Sequence, residues 1–444
     1  MHYKIQYTFR TLLLLLLVKL TPVCANETNS VEFMHWWVSL GEQASINVLK
    51  QRLNQQGIPW QDHAHAGSGT ARYGDILSKR IAANRPPTAT QIIGYDIQKL
   101  AAQGILQQLD ELAIEGEWDE VIPNDIQLLS KYQGHWIAAP INAHSTNWLW
   151  VNNALLEQIG GLEPDTWDDL IQLLDQAKAA GIIPLAIGRE AWEHTLLFES
   201  VAAGVGGAEF YRHAFIDLDP NALDSDRLLT IFQRMSQLRT YLDKDFSTRY
   251  WSDATDMVRK GQALLQVQGT WVNGEFTALN LTPGVDYQCF NFPDTQGMFL
   301  FNSDQYVIFK DSKTNLSTRN NFVKILMDAN FQRDLNHRTG AAPARTDVSL
   351  RTFNSCAKSS IAHMRSSNMR RSLMGSIAMG NANPPLTKEA IYNVVSDHLY
   401  GRISDVQAVT RLQKAITKSV AQQSLAERVK AQTIQPVPAL NSAH

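Results

Sequence analysis

The chain has 444 residues, 44% of them hydrophobic, with 40 basic against 43 acidic side chains and a formal net charge of −3. So small a charge excludes partners bound by charge alone, such as nucleic acid or an anionic membrane surface. No low-complexity stretch or internal repeat interrupts the composition, and a length this far above that of one ordinary core predicts two domains.

The first 27 residues, "MHYKIQYTFRTLLLLLLVKLTPVCANE", combine basic Lys4 and Arg10, an apolar run over residues 12–18 and a small-residue site ending Val23-Cys24-Ala25. This is the pattern of a secretory signal cleaved after Ala25. The run is broken by Lys19 and falls short of the roughly 20 apolar residues of a spanning helix. A lipidated Cys24 is the alternative, disfavoured by Val23 where a small residue is preferred. With Cys24 removed, Cys289 and Cys356 remain, an even pair in an oxidising compartment, and a disulfide between them is expected.

Behind the leader, "VEFMHWW" reads as a strand, "EQASINVLKQRLNQQG" as an amphipathic helix stopped by Gly57, and "WQDHAHAG" as a second strand. "GDILSKRIAAN" continues as a helix, "RPPTATQIIGYD" as a strand entered through a double proline, and "IQKLAAQGILQQLDEL" as a further helix and strand. This βαβ rhythm implies a mainly parallel sheet covered by helices. It resumes at "TWDDLIQLLDQAKAAGIIPLAIG", where Thr166 is the N-cap and Asp168 and Asp169 sit in the first turn. Between the two α/β regions "GHWIAAPINAHSTNWLWVNNALLEQIG" reads as a chain crossing between lobes, and "GMFLFNSDQYVIFK" and "NHRTGAAPARTD" as two more crossings. Three crossings imply a hinged, two-lobed α/β protein with its ligand site in the cleft.

Eight stretches in order carry a resemblance: "HWWVSLGE", "PPTATQIIG", "APINAHSTNWLWVN", "TWDDL", "GIIPLAIG", "VRKGQALLQVQGTW", "FPDTQGMFLFNSD" and "GAAPARTD". Together they resemble the extracellular solute-binding proteins of bacterial ABC sugar importers, of the glucose/mannose-binding type. The resemblance implies a two-lobed periplasmic-binding-protein fold with three interlobe crossings. Its first lobe would comprise residues 26–142 and 303–342, and its second residues 143–302 and 343–444. It further implies a monomer without cofactor in the periplasm, with a carbohydrate ligand and inner-membrane permease subunits as partners. A ligand-sensing subunit docked on a membrane receptor is the alternative, and genomic neighbours would distinguish the two.

A pyranose has apolar ring faces and a rim of hydroxyls, so its site needs aromatic plates together with carboxylates or amides. Consecutive residues of a strand point to opposite faces, so Trp36 and Trp37 are not both expected in one core. The resemblance places the pair at the cleft as plates, with Glu42 as rim acceptor, Trp271 as a second stacking residue, and Asp304 with Asn302 meeting the sugar from the second crossing. His144, Asn147 and Trp192 are further candidates. Four positions depart from the pattern: Ile93 and Thr339 stand where lysines are expected, Met379 where a histidine is expected, and Thr270 in place of a frequent acidic residue. A buried hydroxyl left without its partner costs roughly 1 to 3 kcal/mol, so either the ligand is different, a larger or less polar glycoside such as a disaccharide or an aryl glucoside, or the ligand is lost.

No H-E-x-x-H, G-x-S-x-G or phosphate-binding loop is present, since "AGSGTAR" lacks the G-K-[ST] that would hold phosphates. His63 and His65 fall on one strand face but lack a third ligand at a useful spacing. A binding protein with no catalytic residues and no metal is therefore expected.

Overall fold

Strand Val31–His35 organises the first of three larger sheets in the computed structural model, which describes residues 27–67, 71–223 and 225–433. The leader, its cleavage site and Cys24 lie outside the described residues. Val31–His35 pairs in parallel with Trp60–Ala64 and with Ala89–Ile92. Gln305–Ile308 runs antiparallel between Ala89–Ile92 and Ala138–Pro140. Every residue of the two central strands Ala89–Ile92 and Gln305–Ile308 is buried, as a sheet covered on both faces requires. Helix Leu40–Gln55 covers one face through Ile46, Leu49 and Leu53, a spacing of three and four that lines one side of a helix.

The second sheet orders Tyr287–Asn291, Trp148–Asn152, Ala263–Val267 and Ile183–Ala186. Against it packs helix Ala191–Tyr211, buried along most of its length. Phe198 meets Phe215 and Phe232 at centroid distances of 5.8 and 5.4 Å, contacts worth roughly 0.5–1.5 kcal/mol each beyond area burial. The apolar side chains around these sheets form two large, separate clusters, one per lobe.

A narrow third sheet joins the lobes: Ala342–Pro343, Asn142–Ser145, Phe299–Asn302 and Leu373–Gly375. The first crossing runs from Ala138–Pro140 through Asn142–Ser145 into Trp148–Asn152, so one segment supplies a strand to each of the three larger sheets. Phe299–Asn302 leads back into Gln305–Ile308. The third crossing turns at Gly340, whose φ of 76° caps helix Ala329–Thr339, a conformation in which glycine is unstrained.

Cys289 on strand Tyr287–Asn291 and Cys356 on helix Ser355–Arg370 form a disulfide with Cα atoms 6.0 Å apart, as expected. On that helix Cys356 belongs to the second core, while Ala357, Ile361 and Met364 belong to the first. The helix lies across the junction, and the bridge pins it to the second lobe.

Candidate functional site

Parallel strands end in a crevice that favours ligands, and here the first strand stops at His35. Trp36 and Trp37 lie beyond it, 7% and 5% exposed, and both line one interlobe cavity. The alternation expected of a strand does not apply to them, because neither is in the strand. The Trp36 N–H donates to Gln91 Oε1 at 3.2 Å and the Trp37 N–H to His35 Nδ1 at 3.2 Å, so the turn itself is fixed.

Ser39 caps the helix that follows, and Glu42 completes a capping box. Glu42 Oε2 accepts from the backbone N–H groups of Val38 and Ser39, both at 2.9 Å, which leaves Oε1 with no donor among the described residues. Burial pushes the Glu42 carboxyl up to about 7, against the pull of those two N–H groups and with the neighbouring Glu275 adding to the rise.

Opposite stand Trp192 and Trp271, ring to ring at 6.0 Å and 62°. Trp271 follows the buried strand Ala263–Val267 and lies over Gly269, where a Cβ would come within 2.2 Å of the indole. His144 meets the Trp271 edge at 5.4 Å and shares a hydrogen bond with Thr270 Oγ1 at 3.1 Å. Thr270, where an acidic residue was the expected alternative, thus positions His144.

Asp304 is 3% exposed and fully held. Its Oδ1 accepts from Gln91 Nε2 at 2.8 Å, its Oδ2 from Asn142 Nδ2 at 2.9 Å, and its own N–H donates to Asn142 Oδ1 at 2.8 Å. His144 Nε2 stands 3.5 Å from Oδ2. Asn302 uses its oxygen to accept from Asn381 Nδ2 at 3.0 Å, which leaves its amide N–H groups for a ligand.

The cavity, about 540 Å³ counted out to its mouth, thus gathers Trp36, Trp37, Glu42, His144, Trp192, Trp271, Asn302, Asp304, Thr339 and Met379. The sequence missed Trp251, Ser45, Gly41 and Gly274, which also line it. Gly41 and Ser45 lie on the helix that carries Glu42, one turn apart, so its periodicity would have supplied them. Trp251 opens helix Trp251–Arg259 outside any of the quoted motifs. Two candidates lie elsewhere. Asn147 is wholly buried behind the hinge, donating to Thr295 Oγ1 and the Met298 carbonyl, both at 2.9 Å, and accepting from the Leu300 N–H; a buried amide between sheets satisfies backbone groups first. Ile93 lines a larger space outside the cavity.

His63 pairs with Glu32 at 3.0 Å, and His65 faces the edge of Tyr73. Among the described residues no group of three His, Cys, Asp or Glu could hold a metal.

The sequence profile of the bacterial extracellular solute-binding proteins matches residues 41–315. A probable sugar-binding periplasmic protein of Brucella suis is 44% identical over 402 residues, 90% of this chain and 95% of that one. One of the same description from Rhizobium meliloti is 43% identical, over 89% and 96% of the two chains. Among solved structures, a solute receptor with exclusive preference for β-D-galactopyranose superposes with a TM-score of 0.74 at 18% identity, over 88% of this chain and 98% of that one. A chitin oligosaccharide binding protein reaches 0.75 at 19% identity, over 88% and 99%. The two-lobed fold and a sequence match along most of its length make this chain a member of the bacterial extracellular solute-binding proteins, a family of binding proteins.

Proposed function

We propose that the protein binds a carbohydrate in its interlobe cavity and delivers it to the membrane-embedded permease of an ABC importer. The observation that carries this reading is the convergence of five tryptophans, Trp36, Trp37, Trp192, Trp251 and Trp271, with Glu42, Asn302 and Asp304 in one cavity. Indole faces suit the C–H surfaces of a pyranose, and the free Glu42 oxygen and Asn302 amide suit its hydroxyls. The names of the Brucella and Rhizobium relatives support the ligand class and the periplasmic location.

In this reading residues 1–25 are removed on export and the mature protein acts as a monomer. We place the first lobe at 26–142 and 303–342, the second at 143–302 and 343–444, and hinge closure over the sugar at the three crossings between them. Ligand that binds the folded protein raises its stability by RT ln(1 + [L]/Kd), about 2.7 kcal/mol at a hundredfold excess over Kd. A thermal-shift screen over mono- and oligosaccharides is expected to find at least one ligand. No shift with any carbohydrate overturns the proposal.

A further inference from the structure

Outside the inner cavity, and continuous with it past Trp36, Trp192 and Met379, lies a second interlobe space of about 2110 Å³ out to open solvent. It presents apolar surface from both sides: Tyr73 and Ile93 from the first core, and Met379 and Tyr392 opposite. Both phenols are already engaged, Tyr73 with Thr90 Oγ1 at 2.5 Å and Tyr392 with the Ala378 carbonyl. The two tyrosines therefore offer the space ring surface and no free hydroxyl. Around this apolar middle stand side chains of both signs, Asp75, Asp96, Glu190 and Glu389 with Lys99 and Lys388.

Apolar surface at the centre with donors and acceptors at the edge repeats the chemistry of the inner cavity on a larger scale. An anionic ligand is disfavoured by four carboxylates against two ammonium groups, and a purely hydrophobic one by so many charges at the rim. The geometry points to a second subsite here, occupied by a further pyranose linked to the one in the inner cavity, so that the ligand is a disaccharide or longer oligosaccharide. Ile93 and Met379, at two of the four positions where charged or polar residues were expected, are then the apolar surface against which the second ring lies. This inference rests on the carbohydrate reading and narrows it.

Titration calorimetry with glucose and galactose, with an α- and a β-linked glucose disaccharide, and with an aryl glucoside tests the inference on the wild type and on Ser78→Trp. Ser78 is an exposed position on helix Ala71–Ala82 that lines only the outer space, so an indole there fills it without disturbing a core. At least one disaccharide is expected to bind tenfold or more tightly than either monosaccharide and to lose that advantage in Ser78→Trp, while monosaccharide affinity stays within twofold. Ala82→Trp, another exposed lining position, should do the same. Equal affinity for mono- and disaccharides, or equal weakening of both by the indole, would show the outer space to be only the mouth of the cleft and overturn the subsite. A gain with the aryl glucoside and none with a disaccharide overturns the second sugar. Failure of every carbohydrate to bind overturns the ligand class itself.

Discussion

Glu275 reaches across the cleft to cap a helix of the opposite lobe through Ser39. Its Oε1 accepts from Ser39 Oγ at 2.6 Å and from the Gly41 N–H at 3.0 Å, although Glu275 sits on helix Val272–Ala278, whose Val272 and Phe276 belong to the second core. A carboxylate at a helix N-terminus is favoured by the dipole and by the unpaired N–H groups there, so this contact links the lobes and orders the turn that carries Glu42. Glu275→Ala is expected to weaken ligand binding about tenfold, roughly 1.4 kcal/mol, with a smaller change in the melting temperature of the unliganded protein. Calorimetry on both proteins checks it. An unchanged Kd would mean that the contact plays no part in holding the lobes together.

Two glycine pairs bring the lobes closer than any side chain permits. A Cβ on Gly41 would lie 2.4 Å from the Gly274 carbonyl carbon, and one on Gly94, at φ 56°, would lie 2.0 Å from the Gly380 carbonyl oxygen. Beside the second pair the Tyr95 N–H donates to that same oxygen at 2.9 Å. Gly41→Ala and Gly94→Ala should each hold the cleft wider, raising the radius of gyration in small-angle scattering with ligand present and weakening affinity by more than tenfold. Gly94→Ala also forces a left-handed backbone on alanine, so of the two Gly41→Ala is the cleaner test of the interlobe contact.

How much of this was legible in the sequence follows from which signals are local. The alternation of strands and helices follows from local hydrophobic pattern and turn residues, but the mainly parallel sheet it implied is mixed. Val31–His35 pairs in parallel with both its neighbours, whereas Gln305–Ile308 runs antiparallel to both of its own, a pairing set by the returning crossing and not by local pattern. The cavity required knowing which residues of separate elements meet. Glu42, Trp271 and Asp304 were reachable only through family resemblance, and Trp251 escaped because nothing near it in the chain marks the start of its helix as cleft-facing. Asn147 shows the converse: polarity beside a hinge strand was visible, but its orientation was fixed by the orphaned N–H of Leu300 and carbonyl of Met298, which lie some 150 positions away. The role of Gly41 depends on Gly274, a pairing with no local signature.

The disulfide spans 67 positions, and in the chain-entropy model closing such a loop stabilises the native state by roughly 4 kcal/mol. Cys356→Ser should lower the denaturant midpoint and increase the slope of the unfolding transition, because the unbridged denatured chain is less compact and exposes more surface. Mass analysis of the native protein under non-reducing conditions should find no alkylatable thiol on Cys289 or Cys356.

Glu199 supplies the pH dependence. It is wholly buried and accepts from Thr146 Oγ1 at 2.6 Å, Ser376 Oγ at 2.7 Å and the Ala378 N–H at 3.0 Å, tying the loop that carries Met379 to helix Ala191–Tyr211. Burial raises its carboxyl to about 7 despite those donors. Between its unfolded value of 4.5 and about 7 the folded protein holds a proton that the unfolded chain has released. Stability from this group is therefore full below pH 4.5, falls as pH rises through the window, by up to about 3 kcal/mol, and is flat above it. Burial raises Glu193 to about 8, which extends the same trend. Glu199→Gln should flatten the fall between pH 5 and 7 and, by leaving one donor of the network unpaired, lower stability by roughly 1–3 kcal/mol at pH 5. Melting temperatures at half-unit pH steps decide it; an unchanged slope would assign the pH dependence to other groups.

Free glucose is expected to be a poor ligand, and the reason lies in what the inner cavity does not offer. The five tryptophans and Glu42 suit any pyranose and so discriminate little between pyranoses. Discrimination comes from polar groups left unpaired by the wrong ligand, and among the described residues no lysine or arginine lines this cavity. Thr339 stands at one of the positions where the family resemblance leads one to expect a lysine, and its hydroxyl is already spent, donating to Asn336 Oδ1 at 3.0 Å and accepting from the Ala341 N–H at 3.1 Å. Met379 stands at the border of the outer space with no hydrogen-bonding group to give, and Ile93 lies beyond it. Installing lysine through Thr339→Lys and Ile93→Lys, and histidine through Met379→His, should raise glucose affinity by about 1 kcal/mol or more for each charge-assisted bond that forms. The Met379→His and Ile93→Lys changes should at the same time cost affinity for a disaccharide, because they place charge or polarity where the second ring needs apolar surface. Titration of wild type and triple variant with both sugars reads the two effects separately. Glucose binding by the wild type at micromolar Kd would show that the cavity satisfies the sugar's hydroxyls without these groups, and that the three substitutions do not set specificity.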